Sequence, residues 1–180
     1  DQPVRIERHL VFRRDRQSLV ILDRVYGAIP SDVFFNVHAD AARLQSTAGG
    51  AGARFVGPYG VDLDVRAFGS EELIPALERD VPQRWMLRLS QPAAKPRPPT
   101  EPATGRRRRD KKQEPIADFL TVLSPVVRPT AGLDVRHAAP DVQRLADLPG
   151  VRIAEGNTVR YVVLAAEPVS YQSDTVRFTA

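Results

Sequence analysis

Residues 32–40, DVFFNVHAD, alternate in character: Val33, Phe35, Val37 and Ala39 fall on one side of an extended strand, and Phe34, Asn36, His38 and Asp40 on the other. The second side gathers groups able to do chemistry. His38 could act as a general base near neutral pH or donate a hydrogen bond to a carboxylate, with Asp40 two residues on setting the local charge. Asn36 shares that side. Tyr26 closes SLVILDRVY (18–26) just before Gly27, where a phenol can serve as acid or base, or simply cap a sheet edge. Asn36, His38 and Tyr26 are therefore the candidate cleft residues. The polar side of 34–40 has two readings, the wall of a site or the wet face of a sheet.

Other chemistry is excluded by what the sequence lacks. It has no Walker-type phosphate loop, no G-x-S-x-G nucleophile elbow and no H-E-x-x-H. With no cysteine, disulfides and thiolate metal sites are ruled out. The three histidines, His9, His38 and His137, are too scattered for a local metal motif, and neither metal nor cofactor is expected in this chain. His9 reads as a structural strand residue and His137 as a loop residue. Trp85 alternates with Leu87 and Leu89, which is a core pattern, although an indole can also stack on a sugar ring.

Charge is confined in the same way. The pI near 9.8 suggests a polyanion ligand, yet residues 92–116 alone carry a net of +5 and leave −1 for everything else. Arg106, Arg107, Arg108 and Arg109 are the candidate polyanion-binding residues, acting through charge and counterion release. No aromatics interleave with them, which argues against base stacking and hence against nucleic acid. Six prolines within 92–116 forbid regular ladders, so the segment reads as a long disordered basic insert.

The elements that must position these groups are mostly strands. VRIERHLVFRR (4–14), SLVILDRVY (18–26), DVFFNVHADA (32–41), RFVG (54–57), VDLDVRAF (61–68), RWMLRLS (84–90), DFLTVLSPVV (118–127), VRIA (151–154), NTVRYVVLAA (157–166) and DTVRF (174–178) are separated by turn residues. Residues 18–26 are apolar on both faces and should be a central, doubly covered strand. In 61–68, Val61, Leu63 and Val65 oppose Asp62, Asp64 and Arg66. TAGGAGA (47–53) reads as a flexible turn. SEELIPALERD (70–80) reads as a short helix capped by Ser70 and limited by Pro75. With no βαβ alternation, the expected fold is all-β, an antiparallel sandwich in one domain over 1–180 with at most one or two short helices. The longest aliphatic run, VVLAA (162–166), falls far short of the ~20 residues that span a bilayer. No signal-peptide pattern appears. The opening DQPVRIERHLVF begins inside a strand and reads as a piece of a longer chain.

Three stretches, in order, resemble the C-terminal β-sandwich of the heparinase II/III-like polysaccharide lyases: ERHLVFRRDRQSLVILDRVYG (7–27), VFFNVHAD (33–40) and DFLTVLSP (118–125). That resemblance implies β-elimination on uronate-containing polysaccharide in the periplasm or outside the cell. Such an enzyme neutralises the uronate carboxylate, removes the C5 proton and protonates the leaving glycosidic oxygen. In the family, Tyr and His move the protons while Asn, Glu or Arg steadies the carboxylate. Most of these groups come from an N-terminal α-helical toroid, and others from an H-x-H-x-D-like motif upstream of the matched strands. Neither is in this sequence, so the chain alone is expected to be inactive. The alternative reading is a non-catalytic carbohydrate-binding module for acidic glycans, using exposed aromatics such as Tyr59 or Tyr171.

Overall fold

A computed structural model describes residues 4–15, 17–26, 31–47, 49–92, 115–129, 139–146, 148–165, 170–172 and 177–179. The strands are β1 Arg5–Arg13, β2 Ser18–Tyr26, β3 Ser31–His38, β4 Ala41–Thr47, β5 Gly50–Val56, β6 Val61–Gly69 and β7 Ile74–Val81. They continue with β8 Arg84–Gln91, β9 Ala117–Val127, β10 Asp141–Arg144, β11 Gly150–Glu155, β12 Thr158–Val163, β13 Ser170–Gln172 and β14 Arg177–Thr179. The described residues contain no helix, and every strand pair is antiparallel. The all-β expectation holds.

A six-stranded sheet, ordered β1-β2-β9-β6-β5-β4, lies in the middle. The β3-β8-β7 sheet covers one face: Val33, Leu87 and Leu89 pack there against Val25, Ala53, Phe55, Val65 and Phe119. The β10-β11-β12 sheet covers the other, where Val142, Val151 and Ile153 meet Val20, Leu22, Phe68, Leu120 and Val122. Each large aliphatic or aromatic side chain removed from water in these layers contributes about 1.5–3 kcal/mol. β2 lies between β1 and β9 with seven of its nine residues buried, as its two-sided apolarity requires. On edge strand β1, Ile6, Leu10 and Phe12 stay exposed.

Two local expectations are corrected. Residues 70–80 form no helix, and Ile74–Val81 is the outer strand of the β3-β8-β7 sheet. Pro75 explains the difference, because its missing N–H would break a helix interior but is tolerated at a sheet edge. Ser70 accordingly caps nothing; its hydroxyl accepts a hydrogen bond from Gln91 Nε2 at 2.6 Å. Residues 50–53 are ladder rather than flexible turn. A Cβ on Gly50 would stand 2.4 Å from the Ala67 carbonyl oxygen and 2.7 Å from Phe68 Cδ1, so the small residues there permit close packing.

The chain changes sheets at Ala39–Asp40. Ala39 N–H donates to the Gln83 carbonyl in the β7–β8 turn, and Asp40 N–H to the Val56 carbonyl on β5. Such corners are how strands pass between packed sheets. His38 therefore stands at the end of the sandwich. Residues 93–114 join β8 of one sheet to β9 of another and lie outside the described residues, as does the four-arginine run.

Candidate functional site

The alternation of residues 32–40 is realised. Val33, Phe35 and Val37 face the core while Phe34, Asn36 and His38 face outward, opposite Arg88, Met86 and Arg84 of β8. Most of this polar side is thus the solvent face of a three-stranded sheet. His38 differs by its position at the strand end. It borders a cavity of about 170 Å³ whose walls are Val37, Ala39, Phe55, Val61, Leu63 and Pro125, with Asp62 as the other ionisable group.

Asp62 is a clamp rather than a free acid. Its carboxylate accepts from Arg54 Nε at 3.1 Å and from Gly57 N–H at 3.3 Å, and Arg128 Nε lies 3.1 Å away. Arg128 Nη2 also donates to the Gly57 carbonyl at 2.6 Å. Together these pin the PYG turn between β5 and β6, where Gly60 takes φ +77°, a conformation that favours glycine. Tyr59, at the tip of that turn, is 93% exposed.

Tyr26 joins neither His38 nor Asn36. It closes β2 in the six-stranded sheet, buried, with its hydroxyl donated to Glu7 Oε2 at 2.9 Å and the Arg5 guanidinium 4.2 Å above its ring. No Tyr–His pair is set for proton transfer among the described residues. Trp85 packs into the core, with the Arg79 guanidinium 5.5 Å over its ring. His9 lies on β1 with Nε2 enclosed and unpartnered. His137, the side chain of Tyr171 and Arg106–Arg109 fall outside the described residues. No group of three or more metal-ligating side chains occurs among the described residues, and no helix there is long and apolar enough to cross a membrane.

The register exposes a feature that motif reading missed. Directly paired residues share a face, so Arg43 on β4, Arg54 on β5, Asp64 on β6 and Ser124 on β9 form one polar row; Ser18 on β2, one residue beyond the last β2–β9 pair Leu19–Leu123, and its partner Arg13 on β1 carry the line across the rest of the six-stranded sheet. The β10-β11-β12 sheet reaches one end of this row, where Arg13 Nη2 donates to Glu155 Oε2 at 3.3 Å. At the other end the row opens to solvent at Arg43. Between them Asp64, fully buried, accepts from Arg66 Nε at 2.8 Å. The alternation DLDVR (62–66) was the one local signal for this face, while Arg43, Arg54 and Arg128 reach it only through pairing across strands. No protein-family model matches the sequence, and no curated protein matches it.

Proposed function

We propose that this sandwich is the non-catalytic β part of a polysaccharide lyase that cleaves uronate-containing polysaccharide by β-elimination, with the proton-transfer groups carried on an α-helical toroid domain outside this sequence. One observation carries the reading. The first and third lyase-like stretches, about a hundred residues apart in sequence, lie side by side as β1-β2-β9 in the six-stranded sheet. That adjacency of two of the three stretches supports the reading; the second stretch, on β3, lies in the covering sheet. The separation of Tyr26 from His38 and Asn36 accords with a part that is inactive alone.

The coding DNA upstream of Asp1 tests it. A continuing frame of several hundred helical-period residues ending in an H-x-H-x-D-like segment is expected. The longer protein should then release unsaturated uronate products that the present chain alone does not. A start codon or bare signal peptide directly upstream of Asp1 would end the reading.

The exposure of Tyr59 beside the His38 cavity favours a second reading, a carbohydrate-binding module for acidic glycans. A phenol ring held out on a pinned turn is suited to stacking on a sugar ring. Under this reading Tyr59→Ala abolishes glycan binding by the isolated chain. Unchanged binding in that variant removes it.

A further inference from the structure

We infer that the open end of the polar row, Arg43 with Arg54, is a binding site for a carboxylate or sulfate group carried on an acidic glycan. Among the described residues, Arg43, Arg54 and Arg128 gather on this corner of the sheet around Asp62, while the neighbouring Asp64 is engaged by Arg66. Both carboxylates are buried and engaged: Asp62 by Arg54 and Arg128, Asp64 by Arg66. The Arg43 side chain makes no ion pair or hydrogen bond among the described residues. Its register partner is Arg54, a like charge directly across the strands.

Directly opposed like charges destabilise a sheet, and a surface strand could avoid the cost with almost any polar residue at position 43. An anion seated between the two removes the repulsion and receives donors from both. Guanidinium forks match the oxygens of carboxylate and sulfate groups geometrically. Arg54 is preset for this: its Nε is bound to Asp62, which limits the side chain's freedom before any ligand arrives. Arg43 is exposed on edge strand β4, so an extended chain has access from the side. The anion site itself rests on the register alone. The glycan as its carrier rests on the function proposed above.

The experiment is a calorimetric titration of the full chain with inorganic sulfate, a uronic-acid tetrasaccharide, an uncharged tetrasaccharide and a single-stranded oligonucleotide of equal charge. Natural chain, Arg43→Ala and Arg43→Glu are compared. Each is also made with Arg106, Arg107, Arg108 and Arg109 changed to Gln, which removes the insert's own attraction for anions. The natural chain should bind sulfate and the charged tetrasaccharide. Arg43→Ala should weaken both about tenfold, in either insert background, and Arg43→Glu should abolish them. Arg43→Glu should at the same time raise Tm by about 2 °C, because a glutamate would pair with Arg54. A merely structural arginine would not lose binding while gaining stability.

Sulfate and tetrasaccharide binding unchanged in both Arg43 variants overturns the site, whatever becomes of the lyase reading. Sulfate binding lost in Arg43→Glu, with no tetrasaccharide binding by the natural chain, keeps the anion site and overturns the glycan. Oligonucleotide binding as tight as that of the tetrasaccharide, and equally sensitive to Arg43, overturns the glycan in favour of nucleic acid.

Discussion

Toward β3, β8 and β7 the six-stranded sheet presents Val25, Ala53, Phe55, Val65 and Phe119, whereas toward β10, β11 and β12 it presents Val20, Leu22, Phe68 and Leu120 with charged residues around them. Among the described residues of the six-stranded sheet, charge enters the first face only at the paired Asp23 and Arg8: Asp23 accepts from Arg8 Nε at 2.5 Å and Nη2 at 3.0 Å, and these bonds hold the Arg8 guanidinium above its usual pKa. On the second, Arg13 meets Glu155, Arg144 meets Asp118, Arg66 meets Asp64 and Arg54 meets Asp62. β6 supplies both faces from one alternating sequence, Leu63 and Val65 to one, Asp62, Asp64 and Arg66 to the other. The first face is held by shape and burial. The second is held at its centre by burial and toward its rim by ion pairs, and only such a rim can display charge to a ligand.

The largest test of this contrast is Phe119→Ala, which empties a fully buried ring site on the apolar face. Chemical denaturation should show a loss of about 3–5 kcal/mol. On the charged face, Asp64→Ala takes away the carboxylate to which the Arg66 guanidinium donates while that guanidinium stays largely enclosed, 18% exposed. A loss of about 3 kcal/mol is expected, and the apolar double variant Asp64→Leu with Arg66→Met should recover most of it. If the double variant is as unstable as Asp64→Ala alone, the pair is not a replaceable clamp and the second face is not held by such pairs.

Gly50→Ala comes next. Its new Cβ meets backbone at Ala67 and the ring of Phe68, so β5 must shift, at a cost of about 2 kcal/mol. A harmless substitution would mean that residues 47–53 are a turn after all.

The smallest effect lies outside both faces. Hydrogen bonds from Arg84 hold the exposed Asp80 carboxyl below its ordinary 3.8. The sign follows from linkage: the pair's contribution to stability is complete above the unfolded carboxylate pKa and disappears as pH falls through the lowered folded value. Titration of Asp80 followed by NMR should show a midpoint below that of a free aspartate, and Arg84→Gln should restore it.

Much of the fold could be read from the sequence because side-chain alternation is local. VFFNVHAD declares which side is buried, and SLVILDRVY, apolar on both sides, declares a covered central strand. Residues 70–80 were ambiguous for a physical reason: Leu73, Ile74 and Leu77 fit a helical spacing as well as a strand. Pro75 was decisive only once β7 had an edge to occupy. Gly50 looked like part of a turn because its purpose, admitting a neighbouring strand and the Phe68 ring, lies on β6. The candidate site divides the same way. His38 and Asn36 were legible as an outward polar side, but that Tyr26 stands apart in another sheet was not.

The sequence by itself therefore determined the β class, the sidedness of the clearly alternating strands and the confinement of net positive charge to residues 92–116. Those properties depend on each residue and its immediate neighbours. Only the tertiary structure decided that two further sheets cover the central one, that His38 stands at a corner, and that Arg43 opposes Arg54 at the open end of a polar row. Strand pairing sets those relations between residues far apart in the chain, and a one-residue change of register would have turned every side chain of a strand to the other face.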